Sequence, residues 1–259
     1  MDGGKIMYNF KDKVVMVTGA GGGSGRAIAE HFLNDGATVI AVDLKEPAWK
    51  EKTDTFFPVS CDISDEKRVK EVIECYISKF GCIDTLVNNA AITIEAPLVD
   101  FQLETWEKIF DVNTKGTFMC TQAVVRALIK QNKPGSIINI ASIAGKNGFA
   151  NSCAYCASKA AVIGFTRALA VELGQYDITV NAICPGSVAT PMIEVVIGNI
   201  SNKTGMNREE TRAMMESGIP LKRFQQPDDV ASLVCFLASD GARNISGESM
   251  NLDGGVIRD

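Results

Sequence analysis

Several features that define large protein classes are missing from this 259-residue sequence. Its only histidine is His31, which we expect at the surface or in packing, and no Gly-x-Ser-x-Gly motif occurs. Both absences exclude a hydrolase of the Ser-His-Asp type. The longest stretch without a charged residue, Ile178–Ile193, contains two prolines and is shorter than the ~20 apolar residues of a membrane helix. The net charge of −5 disfavours nucleic acid as the main partner.

Signals for metal ions and for secretion are also scarce. Only Cys153 and Cys156, among eight cysteines, are spaced as Cys-x-x-Cys. One such pair does not fill a four-ligand zinc site, so we expect no metal. Residues 1–13 lack the basic and apolar regions of a signal peptide. These absences predict a soluble, cytoplasmic protein with a small-molecule substrate.

The segments that are present alternate between two periodicities. Short β-rich runs are followed by longer runs of helical period, which is the order of βαβ units with a parallel sheet. Right-handed crossovers then give an α/β fold of the Rossmann type, doubly wound, with a seven-stranded parallel sheet and helices on both faces. The predicted strands are Val14–Thr18, Thr38–Asp43, Phe56–Cys61, Thr85–Asn88, Ser136–Ala141, Thr179–Ile183 and Glu248–Leu252.

Four helices are clearest in the pattern of apolar residues. Asp65–Phe80 is the most regular, and Ser64 precedes it as the predicted N-cap. The others are predicted at Ser24–Asp35, Glu104–Gln131 and Cys153–Leu173.

One domain accounts for the chain at this length and composition. We expect an N-terminal extension over residues 1–10 and a single catalytic domain over 11–259. Residues 187–224 are the least regular part and begin with an apolar cluster. They are interpreted as a substrate lid, and the alternative is a helical hairpin that only covers the core.

A glycine-rich turn joins the first strand to the first helix. Gly19, Gly23 and Gly25, with Ser24 between the last two, allow a backbone to approach a pyrophosphate at the positive end of a helix. Asp43 ends the second strand, where a carboxylate accepts hydrogen bonds from ribose hydroxyls and repels a 2′-phosphate. No Arg or Lys lies between Gly19 and Gly25. The pattern therefore predicts NAD rather than NADP.

Tyr155 and Lys159 are spaced as i and i+4 on a predicted helix, so they share a face. A free tyrosine titrates near pH 10, too high for proton transfer at neutral pH. A nearby cation stabilises the phenolate, so Lys159 is expected to lower the pKa of Tyr155.

Together these residues resemble the short-chain dehydrogenase/reductase family over nearly the whole chain. The resemblance is carried by the glycine turn, Asp43, Asn88-Asn89-Ala90, Asn113, Ser142, Tyr155, Lys159 and Pro185-Gly186, in that order. It implies that Tyr155 is the general acid/base, that Ser142 binds the reacting oxygen, and that Lys159 also binds the nicotinamide ribose. It further implies that Asn113 holds a water of the proton path, and that the protein is a homotetramer or a homodimer.

The resemblance also implies contacts along the rest of the cofactor. Asp62 is expected at the adenine amino group, with Ile63 packed on the ring, and Asn89 and Ala90 at the adenosine ribose. The segment expected at the nicotinamide carboxamide consists of Pro185, Gly186, Val188 and Thr190. Ala91 departs from the glycine that the family usually has there.

The substrate is predicted less sharply. Lys146, Asn147, Asn151 and Ser152 are polar residues between Ser142 and Tyr155, which favours a polyol, diol or sugar-derived substrate. The alternatives are a hydroxysteroid or other apolar ketone, bound by Phe149 and the apolar cluster, and then a 3-oxoacyl-carrier-protein reductase. A non-catalytic nucleotide-binding regulatory protein is the alternative from another class.

Cys153 and Cys156 bracket Tyr155. They are interpreted as small residues packed beside the site, and the alternative is that Cys153 is a solvent-reachable thiol next to bound substrate.

Overall fold

The computed structural model describes residues 8–258. Residues 1–7, most of the predicted N-terminal extension, lie outside the described residues. Phe10, at the end of that segment, is buried against Phe32 with ring centroids 4.8 Å apart, and its backbone N–H donates to Asp35.

Seven strands form one parallel sheet in the order β3-β2-β1-β4-β5-β6-β7. This confirms the predicted fold class, with shifts of one or two residues at some strand ends. The strands are β1 Val14–Thr18, β2 Thr38–Asp43, β3 Phe56–Ser60, β4 Thr85–Asn88, β5 Gly135–Ile140, β6 Ile178–Pro185 and β7 Ser249–Leu252. The order reverses between β1 and β4, and ligands of such sheets bind at the carboxyl ends of the strands beside this reversal.

Eight α-helices lie within the described residues: α1 Gly23–Asn34, α2 Glu66–Phe80, α3 Leu103–Phe110, α4 Thr117–Gln131, α5 Cys153–Leu173, α6 Pro191–Thr204, α7 Arg208–Ser217 and α8 Pro227–Ala238. Their apolar faces cover both sides of the sheet. Ile28 and Phe32 of α1 pack with Val234 of α8 in one buried cluster, and Val72 of α2 packs with Leu128 of α4 in another. No described helix is both long and apolar enough to cross a membrane.

The helices differ from the prediction in two details. Asp65, not Ser64, caps α2 and accepts from the backbone N–H of Arg68, because Ser64 uses its own N–H and hydroxyl to donate to Asp62. The single helix predicted over Glu104–Gln131 is interrupted by a π-helical turn, Asp111–Gly116. Such turns frequently occur at functional sites, and this one carries Asn113.

Candidate active site

A cavity of about 1350 Å³ lies at the carboxyl ends of the strands. It extends from the glycine turn, past Tyr155, to helices α6 and α7. Every predicted site residue except Asn113 lines it.

The glycine turn leaves no room for side chains at two of its positions. Gly19 has φ +66°, and a Cβ at Gly25 would lie 2.0 Å from the carbonyl oxygen of Gly19. Asn89 stabilises the start of this turn, because its Nδ2 donates to the carbonyls of Thr18 (3.0 Å) and Gly19 (3.1 Å). The turn leads directly into α1, whose first N–H groups are suited to bind an anion. The residues present therefore fit a dinucleotide.

Asp43 has a second function that the sequence did not reveal. Its two carboxylate oxygens accept from the backbone N–H groups of Gly21 (2.8 Å) and Leu44 (2.7 Å). Asp43 therefore fixes the position of the glycine turn, and it also lines the cavity. Arg26, the cation that directly follows the glycine turn in sequence, forms an ion pair with Glu30 at 2.9 Å.

The expected adenine end is formed by the loop after β3. Asp62 and Ile63 line the cavity, and Ile63 packs so closely on Gly116 that a Cβ there would lie 2.8 Å from its Cδ1. The π-helical turn therefore approaches this loop directly.

Tyr155, Ser142 and Lys159 meet on the cavity wall. The hydroxyls of Tyr155 and Ser142 form a hydrogen bond. Lys159 is only 3% exposed, and its Nζ donates to the carbonyl of Ile140 at 2.7 Å. The same Nζ lies 5.8 Å from the centroid of the Tyr155 ring.

The electrostatics of this group differ from the sequence-based expectation. Burial raises the pKa of Tyr155, and the hydrogen bond with Ser142 opposes that increase. The pKa of Tyr155 is therefore raised in this structure, not lowered as the spacing to Lys159 predicted. Burial instead lowers the pKa of Lys159 itself to about 8, because a low-dielectric site penalises its charged form.

Asn113 lies behind the cavity and is 1% exposed. Its Oδ1 accepts from the N–H of Ile92 (2.8 Å), and its Nδ2 donates to the carbonyl of Ile92 (3.0 Å) and to Ser158 (3.0 Å). Ser158 in turn donates to the carbonyl of Tyr155 at 2.8 Å. Ser158, which sequence reasoning missed, therefore joins the π-helical turn to the helix that carries Tyr155.

The polar wall predicted for the substrate is smaller than expected. Asn151 and Ser152 line the cavity, but Lys146 and Asn147 do not, which corrects that part of the prediction. Lys146 reaches the carbonyl of Ser249 at 2.6 Å because the turn after Ser142 directs it across the sheet towards the edge strand β7. The cavity also has an apolar part of its lining, which comes mainly from α6, α7 and a residue after them: Phe149, Met192, Ile193, Val196, Ile200, Met215 and Ile219.

Residues 187–224 contain the hairpin of α6 and α7, and residues of both helices line the cavity. Glu194 of α6 joins the two helices, since its carboxylate pairs with Arg208 at 2.7 Å and also with Arg212. The hydrogen bond from Arg208 is the main reason that the pKa of Glu194 lies below its usual value. Arg212 also lies 5.4 Å from the centroid of the buried Phe224 ring.

Groups outside this cavity have structural contacts. His31 of α1 is bonded to Asp228 of α8 at 2.8 Å. Cys153 and Cys156 are half-buried, and neither lines the cavity. Within residues 8–258, no three His, Cys, Asp or Glu side chains are grouped as metal ligands.

Comparisons with known proteins agree with this geometry. A family model described as enoyl-(acyl carrier protein) reductase matches residues 19–257. The 3-oxoacyl-(acyl-carrier-protein) reductase of Thermotoga maritima is 40% identical over 96% of this chain and 99% of its own length. The galactitol 2-dehydrogenase of Agrobacterium fabrum is 38% identical over 95% and 98%. The structure of the aldohexose dehydrogenase of Thermoplasma acidophilum matches with a TM-score of 0.88 and 33% identity, over 95% of this chain and 94% of that one.

Proposed function

The chain belongs to the short-chain dehydrogenase/reductase family, and from this premise we propose that it interconverts a secondary alcohol and a ketone with NAD as cofactor. Family members use NAD or NADP. One observation carries the proposal: the hydrogen-bonded hydroxyls of Tyr155 and Ser142 lie beside the buried Lys159 in the cavity that contains the glycine turn. When bound, the cofactor supplies the hydride donor or acceptor.

The chain's own residues handle the proton and the oxygen. In the oxidative direction Tyr155 acts in its deprotonated form: the phenolate oxygen accepts the hydroxyl proton of the alcohol and becomes the neutral phenol, and Ser142 donates a hydrogen bond to the same substrate oxygen. Lys159 supplies positive charge beside the phenol. Both N–H groups of the Asn113 side chain are already used, on the carbonyl of Ile92 and on Ser158, and the Thr117 hydroxyl donates to its main-chain carbonyl. A water of the proton path therefore donates to a remaining lone pair on one of the two Asn113 carbonyl oxygens.

The residues expected to bind the cofactor form three groups, one for each part of the dinucleotide. We assign the pyrophosphate to the turn of Gly19, Gly23, Ser24 and Gly25, and the adenosine to Asp43, Asp62, Ile63, Asn89 and Ala90. Pro185, Gly186, Val188 and Thr190 would hold the nicotinamide, and Tyr155 and Lys159 would hold its ribose.

The preference for NAD rests on Asp43, whose carboxylate lines the cavity, and on Arg26, which is paired with Glu30. In the Asp43→Ala variant, the ratio of kcat/KM for NAD to that for NADP should fall about tenfold, since roughly 1.4 kcal/mol of discrimination is lost. Absolute NAD affinity should also fall because Asp43 holds Gly21. Asp54→Ala, an exposed site in the following loop, is the control. A wild-type preference for NADP contradicts the assignment.

For the substrate we propose a polyol, diol or sugar-derived compound. Asn151, Ser152 and Glu95 give the cavity polar groups, and two of the relatives have names that refer to sugars or sugar alcohols. The apolar wall from α6 and α7 favours a second candidate, an apolar ketone or a 3-oxoacyl thioester.

Steady-state rates with NAD(H) against galactitol, aldohexoses, 1,2-diols, a hydroxysteroid and a 3-oxoacyl thioester decide between these candidates. Higher kcat/KM on the polyols supports the first, and higher kcat/KM on the thioester or steroid replaces it. No turnover on any of them, together with retained nucleotide binding, favours a regulatory protein.

We also propose that the chain assembles as a homotetramer or homodimer. Phe118 of α4 and Val171 of α5 are 45% and 86% exposed, so these two helices present apolar side chains outward. Light scattering should give a multiple of the 27.8 kDa chain mass, and Phe118→Glu should reduce it. A monomeric wild type contradicts the proposal.

A further inference from the structure

Trp49 lies in the loop between β2 and β3, outside the cavity lining. Its ring packs on Phe56, with centroids 4.7 Å apart, and the guanidinium of Arg26 lies 5.5 Å from the ring centroid. Arg26 directly follows the last glycine of the turn. The indole therefore connects the loop between β2 and β3 to the first turn of α1, where the glycine turn ends.

The indole N–H reaches the start of the same turn. Nε1 of Trp49 donates to the carbonyl oxygen of Ala20 at 2.8 Å. The next N–H along the chain, that of Gly21, donates to Asp43 at 2.8 Å. These two groups belong to one peptide plane, Ala20–Gly21, so the plane is held at both ends by side chains from β2 and the loop after it.

The orientation of this plane matters because a peptide in a glycine-rich turn rotates easily. Rotation of the Ala20–Gly21 plane would remove the N–H from Asp43 and turn the negative end of the Ala20 carbonyl dipole towards that carboxylate, so Asp43 would lose its hydrogen bond to the turn and be repelled from it. A donor that retains the carbonyl on the far side opposes this rotation. Asp43 alone holds only one end.

We propose that Trp49 is a positioning residue for the cofactor, which fixes the Ala20–Gly21 peptide so that the turn accepts a dinucleotide pyrophosphate and Asp43 faces the adenosine ribose. This inference rests on the proposed nucleotide-binding function. It predicts that the indole N–H, rather than the bulk of the ring, determines cofactor affinity.

The test is Trp49→Phe, which keeps an aromatic ring for Phe56 and Arg26 and removes the N–H donor. Loss of one hydrogen bond should raise the Kd for ADP-ribose, measured by calorimetry, about fivefold. The KM for NAD should rise similarly, while kcat at saturating NAD stays within about twofold, because Tyr155 and Ser142 do not contact Trp49. Trp106→Phe, at the other tryptophan, which stacks on Phe110 of α3, is the matched control and should change neither constant.

Phe56→Leu separates hydrogen bonding from packing, since it loosens the aromatic contact but leaves the indole N–H in place. It should lower Tm with little change in the Kd for ADP-ribose. An unchanged Kd in Trp49→Phe, or an equal rise in Phe56→Leu, overturns the positioning role. A wild-type chain that binds no ADP-ribose contradicts the proposed function instead, so the two failures are distinguishable.

Discussion

The two ends of the cavity are stabilised by different kinds of contact. At the cofactor end, backbone groups of the glycine turn pack too closely to admit a side chain, whereas at the substrate end α6 and α7 are joined by side chains near the surface. A Cβ at Gly25 would overlap the carbonyl of Gly19, and Asn89 bonds the same carbonyl. At the other end, Glu194 joins α6 to α7 through two partly exposed arginines. A single added methyl group should therefore be costly at the first end and tolerated at the second.

Gly25→Ala should have the largest effect. The methyl group meets backbone that has no room to move, so we expect a loss of ~3 kcal/mol or more in the free energy of unfolding, with weaker cofactor binding. Gly148→Ala, in the loop before α5, is the control because nothing lies within 4 Å of a Cβ there. Urea unfolding of both variants measures the contrast, and equal losses would remove the distinction between the two ends.

Tyr155→Phe tests the proposed catalytic hydroxyl, which lies between the cofactor end and the substrate end of the cavity. The ring remains and only the hydroxyl is lost, so kcat should fall by at least ~100-fold while cofactor affinity persists. Tyr176→Phe, at an exposed tyrosine after α5, should leave kcat unchanged. Retained turnover in Tyr155→Phe would mean that another group transfers the proton.

Lys159 predicts a pH dependence of stability. Its pKa is about 8 in the folded protein and about 10.5 in the unfolded chain. Between these values the unfolded chain binds more protons than the native protein, so the free energy of unfolding should rise with pH, by up to ~3 kcal/mol in total. Urea unfolding of wild type and Lys159→Met across this range isolates the contribution. Identical pH profiles of the two proteins would contradict the lowered pKa.

Glu194→Gln should have the smallest effect. It keeps the side-chain shape but removes the charge that pairs with Arg208 and Arg212, and partly exposed pairs contribute little. We expect the KM for substrate to rise about twofold, with no change in the KM for NAD. Glu209→Gln, on the exposed side of α7, is the control. A larger rise in the KM for NAD than for substrate would show that the hairpin serves the cofactor end.

Periodicity was sufficient to predict the sheet. Parallel strands buried on both faces are continuous apolar runs, so β1, β2 and β4 were predicted to the residue. The long α5 was also predicted at Cys153–Leu173. The helix predicted over 104–131 has the correct extent, because α3, the π-helical turn and α4 follow one another without a gap from Leu103 to Gln131. The turn itself was not predicted, since six π-helical residues leave no distinct signature in the apolar period.

The sequence by itself determined the fold class, and it identified the glycine turn, Asp43, Tyr155 and Lys159 as site residues. Both results depend only on local spacing and on the fixed handedness of βαβ units. Only the tertiary structure decided which groups meet across the chain. Ser158 joins Asn113 to Tyr155, Trp49 reaches Ala20, and Lys146 turns away from the cavity. These contacts join residues far apart in sequence, and each depends on side-chain directions that the packing of the whole domain determines.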